Sequence, residues 1–213
     1  MIRDAAHHEC TALLYPNLVI TEPLPLTLST GGNLELDCNG DRDGIVTFYA
    51  SGGTVPYIFS VAANTTGGIV APQGFNSQTI YNAGAGTITV SVTDINGCYS
   101  EATITITQPA PLTPGSISAN QVLCIGNDPQ TLTSTTGPSG GPGSYSYQWQ
   151  SAVSVDGPFI NINGATSATY TPPVRPTYTI FYRRMVTSGV CQPVNSNTVE
   201  VRVNPLPVAI LSG

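Results

Sequence analysis

Apolar residues recur at every second position in short runs along this chain, and no stretch keeps the i, i+3, i+4 spacing of an amphipathic helix. Thr87 to Val92 and Ala102 to Thr107 alternate on either side of Asp94-Ile95-Asn96-Gly97-Cys98. That pattern predicts a hairpin, with Asn96-Gly97 supplying the positive φ angles of a tight turn. Tyr145, Tyr147 and Trp149 alternate with Ser146, Gln148 and Gln150, so the aromatics project from one side of a strand. In a half-buried strand that side faces the core, with Trp149 near a Cys124 bridge and the Ser/Gln side solvated; the alternative is a sugar-binding face. Tyr57 and Phe59 in the first half pose the same choice. The expectation is an all-β protein almost without helix.

A proline-barred phrase punctuates this pattern. Ile20 to Thr27 reads ITEPLPLT and Ile106 to Thr113 reads ITQPAPLT, six of eight letters identical and 86 residues apart, with a looser echo, VNPLPVAI, at Val203 to Ile210. Pro-x-Pro fixes φ at alternate positions and removes backbone donors, so the phrase reads as a stiff spacer at which strand pairing stops. The division that follows is a tail of an upstream repeat plus linker at 1–27, a sandwich at 28–109, a linker at 110–113, a second sandwich at 114–204 and the start of another linker at 205–213.

Composition narrows the function. Only 8% of the residues are charged, all six cations are arginine, and the net charge is −6 with a pI near 4.5. A chain so poor in cations lacks the basic stripe that nucleic acid requires. The absence of lysine also removes the amine needed for isopeptide cross-links. No apolar run reaches about 18 residues, so no membrane span is expected, and MIRDAAHHEC has no signal-peptide h-region. Five widely spaced cysteines without a Cys-x-x-Cys pair suggest disulfides and an oxidising exterior. The missing signal then suggests a piece of a longer secreted chain.

Catalysis is not expected. The two histidines, His7 and His8, sit on the leading segment, where no Ser/His/Asp or Cys/His arrangement can be built on a rigid element, and HHEC offers at most an adventitious metal site. Asp41 and Asp43 lie too close in sequence to flank a glycoside. Cys98 lies 11 residues before Pro109 and Cys10 lies 13 before Pro23, which makes Cys10 the late cysteine of an upstream copy, unpaired within this chain. Cys38 is then expected to pair with Cys98, and Cys124 with Cys191, each closing a loop of about 60 to 70 residues that stabilises by roughly 4 kcal/mol. The first bridge would bring Asp41 and Asp43 beside Asp94 and Asn96, a set of hard oxygen ligands for calcium. The alternative is that Asp94 and Asn96 only shape their turn. No other cofactor is expected.

Cys38-Asn39-Gly40, Asp43-Gly44, SGGTVPY at 51–57, VTDINGC at 92–98 and the closing ITQP together make residues 34–109 resemble a SprB-type repeat, the module of giant surface adhesins of gliding Bacteroidota. Residues 114–204 resemble the Ig-like or PKD-like module that accompanies such repeats, through GSISANQVLCIGNDP, YSYQWQ at 145–150, FINI and ATSATYTPP within 159–173, TIFYRRMVTSGVC and SNTVEVRV. Cys191 departs from the immunoglobulin pattern because it follows the late strand instead of lying within it, so its bridge should tie a strand end or turn.

The resemblance implies two tandem Ig-like or fibronectin-like β-sandwiches, export by the type IX pathway, and a non-catalytic structural and adhesive role at the cell surface. It implies neighbouring repeats of the same chain as partners, with an extracellular surface or polysaccharide as target. Two other classes stay open. One is a carbohydrate-binding module of a secreted protein. The other is a filament subunit that self-associates through the apolar strand Ala12 to Ile20.

Overall fold

The structure, a computed structural model, describes residues 21–205 together with two short strands, β1 (Ile2–Arg3) and β2 (Thr11–Ala12), which pair with each other. His7, His8, Cys10, all but the first residue of Ala12 to Ile20, and the phrase beyond Pro205 lie outside the described residues. No helix occurs among those described.

Seven strands build the first unit: β3 (Thr27–Gly32), β4 (Gly44–Ser51), β5 (Ile58–Asn64), β6 (Ile69–Val70), β7 (Ser77–Ala83), β8 (Gly86–Thr93) and β9 (Tyr99–Ile106). They form two antiparallel sheets, ordered β3-β4-β7-β6 and β5-β8-β9. This is the ABED and CFG arrangement of a constant-type immunoglobulin sandwich. Alternation explains it: β4 turns Val46, Phe48 and Ala50 inward and exposes Ile45 and Tyr49, while β8 contributes Ile88, Val90 and Val92 from the facing sheet. Tyr57 and Phe59 belong to this core. The hairpin forms as expected, with Thr93 opposite Tyr99, but its loop holds five residues and only Gly97 takes a positive φ. Asp94 shapes that loop, accepting from the backbone N–H groups of Asn96 and Cys98.

The second unit contains β10 (Ser116–Ile117), β11 (Gln121–Cys124), β12 (Ser134–Thr136), β13 (Tyr145–Ala152), β14 (Ile160–Asn161), β15 (Ile180–Ser188), β16 (Val194–Asn195) and β17 (Val199–Asn204). One sheet is ordered β11-β17-β15-β13-β14, with β16 also on β15 and β11 parallel to β17; β10 pairs β12 in the other. A bridge between Leu132 and Tyr170 extends that second layer. Trp149 is fully buried, its ring 5.6 Å from Tyr170, which in turn lies 5.6 Å from Tyr182. The Ser/Gln side of β13 is solvated only in part: Ser146 is exposed, but the two glutamines are covered. Gln148 donates to the Ile162 carbonyl, and Gln150 donates to Asn161 and accepts from Arg183, whose guanidinium covers Phe159 at 4.2 Å.

A buried arginine replaces the covalent core tie of antibody domains. There the B and F strands are joined by a disulfide packed on the strand-C tryptophan, with a tyrosine two residues before the second cysteine. Here Tyr182 is followed two residues later by Arg184, fully buried, with its guanidinium 4.9 Å from the Tyr147 ring and 5.9 Å from Trp149. Arg184 Nη1 donates to Ser134 Oγ at 2.6 Å and the Ala168 carbonyl at 2.8 Å, so hydrogen bonds span the two layers. Burial draws its pKa below the ordinary arginine value. Nε has no partner, a cost that the two good bonds and the aromatic faces must offset.

The two cores are separate. One cluster runs from Leu26 to Ile106 and the other from Ile117 to Val201, with no shared residue, and no strand pairing crosses between the units.

Candidate functional site: the junction between the sandwiches

Strand direction gives each sandwich two distinct ends. At the leading end of the first unit lie the β4–β5 loop and the β8–β9 turn, joined where Asp94 Oδ2 accepts from Thr54 N at 2.8 Å and Ile95 N donates to the Thr54 carbonyl. At its trailing end lie the β3–β4 loop and the end of β9: Asn39 donates to the Pro109 carbonyl at 3.0 Å, Gly40 N to Gln108 Oε1 at 2.7 Å, and Arg42 to the Gly67 carbonyl at 2.6 Å.

The repeated proline phrase is a clamp on the sandwich that follows it. Gly53 N donates to the Leu24 carbonyl at 2.6 Å, and Gly141 N to the Ala110 carbonyl at 2.9 Å. Thr27 and Ser51 share a hydroxyl hydrogen bond of 2.9 Å; Thr113 and Ser139 share one of 2.7 Å. Tyr57 Oη donates to the Gly52 carbonyl and Tyr145 Oη to the Gly140 carbonyl, at 2.6 and 3.0 Å. The receiving segment is therefore Ser-Gly-Gly-x-x-x-Tyr, present at 51–57 and again at 139–145. Its first glycine is demanded twice over. Gly52 and Gly140 each take a φ of +75°, and a Cβ there would stand 2.0 Å from the carbonyl oxygen of Pro25 or Pro111. The phrase is thus no free spacer, because pairing begins inside it, at Thr27 opposite Ser51 and Thr113 opposite Ser139.

One covalent bond fastens the two units, and it corrects both expected pairings. Cys38, at the trailing end of the first unit, is bonded to Cys191, in the β15–β16 turn at the leading end of the second, with Cα atoms 5.5 Å apart. Cys191 Sγ also lies 3.6 Å from the Asp37 carbonyl oxygen. Cys98 and Cys124 are free and exposed. The reason is distance. Cys38 sits beside the end of β9 and Cys98 before its start, which an eight-residue strand separates by about 25 Å. In the second unit, Cys124 lies opposite Asn204 at the far end of β17, whereas Cys191 precedes the start of that strand. Trp149 accordingly packs on Tyr170 and Arg184, not on a Cys124 bridge. Cys10 lies outside the described residues.

The proposed calcium set fails for the same reason, since Asp41 and Asp43 occupy the trailing end while Asp94 and Asn96 occupy the leading one. Among the described residues no cluster of three metal-ligating side chains is present. Burial alone would raise the Asp94 carboxyl, but the backbone N–H groups of Thr54, Cys98 and Asn96 outweigh it and hold it below the ordinary carboxylate range.

Around the staple the junction is open. A cavity of about 220 Å³ is lined by Asn39, Asp41, Pro111, Leu112 and Val190 beside the two sulfurs, and another of about 270 Å³ by Glu35, Asp37, Pro109 and Pro142 among others. The disulfide links the units covalently, and their apolar cores share no residue.

Residues 113–205, the second unit, match a family described as a domain of unknown function, DUF8696. No curated protein matches the chain. Among solved structures, the N-terminal eight Ig domains of Down Syndrome Cell Adhesion Molecule are 12% identical, with a TM-score of 0.42, covering 85% of this chain and 25% of that one. This chain thus spans a quarter of the length of that eight-domain fragment. Murine CEACAM1b is 13% identical over 84% of this chain and 100% of its own, with a TM-score of 0.37. The D00-D0 domain of Intimin is 17% identical over 83% and 98%, with a TM-score of 0.32. At these values the likeness carries no argument of its own. Strand order and the two separate cores make the chain two tandem Ig-like β-sandwiches.

The chain has one tryptophan, Trp149, so its fluorescence reports on the second unit alone. Gly140→Ala should lower the stability read by Trp149 in urea by at least about 2 kcal/mol, whereas Gly52→Ala should leave that transition in place and destabilise only the first unit, followed by circular dichroism. Because Asp94 has a depressed pKa when folded, its contribution is fully present above about pH 4 and is lost as the pH falls through the lower folded-state value. Asp94→Asn should therefore be less stable than the parent chain at pH 7, with the gap closing below about pH 4 in urea titrations across that range.

Proposed function

We propose that this chain is a load-bearing, non-catalytic stalk segment of a large secreted cell-surface adhesin, working by stiff spacing and by weak contacts multiplied through repetition. The observation that carries this reading is the Cys38–Cys191 bond between units whose cores are independent. A disulfide of this kind persists in oxidising surroundings, which supports an extracellular location. No helix of the described residues is long and apolar enough to cross a membrane. The SprB-type motifs quoted above support the finer reading, a gliding-motility adhesin exported by the type IX pathway.

The staple gives the stalk its mechanics. Tension applied at the two ends of the chain passes from Cys38 through the sulfurs to Cys191, so β4 through β15 lie inside a closed loop and carry no load. Of the described strands, only β1 to β3 before Cys38, and β16 and β17 after Cys191, remain in the line of force. The sulfurs are 153 residues apart in sequence, a length that would otherwise extend by about 500 Å. Pulled by its ends in single-molecule force spectroscopy, the oxidised chain should unfold with a contour gain about 500 Å shorter than that of the reduced chain. Equal gains in the two states would refute the load-bypass reading.

A further inference from the structure

The two bonded cysteines have structural counterparts that are not bonded. Cys38 and Cys124 occupy the same place in their units. Each follows a segment running parallel to the last strand, Glu35 bridging Thr107 and Cys124 pairing Asn204. Each opens a Cys-x-Gly turn closed by an N–H of the third residue on, Asp41 N to the Cys38 carbonyl at 3.3 Å and Asn127 N to the Cys124 carbonyl at 3.1 Å. The glycines of these turns have φ of +86° and +95°. Cys98 and Cys191 are likewise equivalent. Each lies in the turn after the second-last long strand, its N–H accepted at that strand's end, by the carboxylate of Asp94 just past β8 and by the carbonyl of Ser188, the last residue of β15. Asp94 and Ser188 in turn abut Gly53 and Gly141 of the clamps.

Each unit therefore carries one cysteine at its leading end and one at its trailing end, and the staple joins trailing to leading. The free thiols, Cys98 at the leading end of the first unit and Cys124 at the trailing end of the second, are the complementary halves of that same joint. Both sit among exposed apolar side chains: Val55, Phe75, Ile95 and Tyr99 share the end of Cys98, and Ile125, Val153, Val174 and Tyr178 share that of Cys124. Arg175 N donates to Asp128 and so ties the Val174 segment to the Cys124 turn. Apolar groups gathered at an end in this way mark a protein-binding surface.

We propose that Cys98 and Cys124 are half-staples, each docking the opposite end of another sandwich of this construction, so that trailing-to-leading disulfides repeat along an array. The inference extends the stalk reading and names its partner, a unit of the same build, which a second copy of this chain provides. Two thiols lose two protons and two electrons in forming the bond, and oxidised glutathione accepts them: one thiolate displaces glutathione to give a mixed disulfide, the other displaces the second, and two reduced glutathiones leave. Because Cys124 lies between Cys38 and Cys191, the next staple would overlap the first, and no stretch between successive units would lie outside a closed loop.

The test uses two full-length chains, both carrying Cys10→Ser, one with Cys98→Ser and the other with Cys124→Ser, in a glutathione redox buffer. Each alone can dimerise only through like thiols; the mixture can join Cys124 of one to Cys98 of the other. The expected result is at least about tenfold more disulfide dimer in the mixture than in either chain alone, with the Cys98–Cys124 peptide recovered from the dimer. Equal yields with and without mixing, or no dimer at all, would overturn the proposal. Recovery of the Cys38–Cys191 peptide from both variants shows that they fold, and it keeps the stalk reading standing whatever the free thiols do; its absence would count against that reading instead.

Discussion

A single sulfur–sulfur bond between the trailing end of one sandwich and the leading end of the next turns two small, independent cores into one mechanical object. Neither core reaches across the boundary, and two clefts flank the bond. Without the bond, two units with separate cores joined by a few residues would move relative to one another, as domains lacking a shared apolar core do by default. With it, the connecting peptide and the disulfide form two strands of attachment, and rotation about either is opposed by the other.

The proline phrase is the second element of that attachment. Its prolines set extended geometry, but its carbonyls and threonine are bound into the Ser-Gly-Gly turn of the unit it introduces. The chain thus enters each sandwich at a fixed angle before its first strand begins. That is why the phrase and its receiving turn recur together at nearly the same interval. The core tie has moved in the opposite direction: where an antibody domain spends a disulfide inside the sandwich, this second unit uses Arg184, Ser134 and a ring of aromatics. Its cysteines are left for the ends.

Much of the architecture was legible in the sequence. Alternation placed the hairpin at 86–106, favoured the core for Trp149 and left almost no room for helix, because period-two burial leaves a direct mark on residue order. For Tyr57 and Phe59 it left core and sugar-binding face open, and the structure puts both in the core. The cysteine pairing was misread, since spacing shows which cysteines share a unit but not which end each occupies. Strand parity carries that signal. Five strands, β4 to β8, separate Cys38 from Cys98, and an odd number of passes returns the chain to the opposite end. The clamp was half visible: SGGTVPY stood out, but its partner SGGPGSY was not matched to it, because only serine, two glycines and tyrosine are retained. Arg184 shares its strand face with Tyr182 and Val186, so alternation does point it inward; only its charge, which ordinarily marks a solvated position, hid it.

The stapled stalk stands or falls on which sulfurs are joined. Peptide mapping of the intact, unreduced monomer after its thiols are blocked settles this directly. The bond described here predicts one linked pair containing Cys38 and Cys191, with Cys98 and Cys124 both recovered as blocked thiols. Recovery of Cys38 linked to Cys98, or of Cys124 linked to Cys191, would place each bridge within its own sandwich and contradict the stapled stalk.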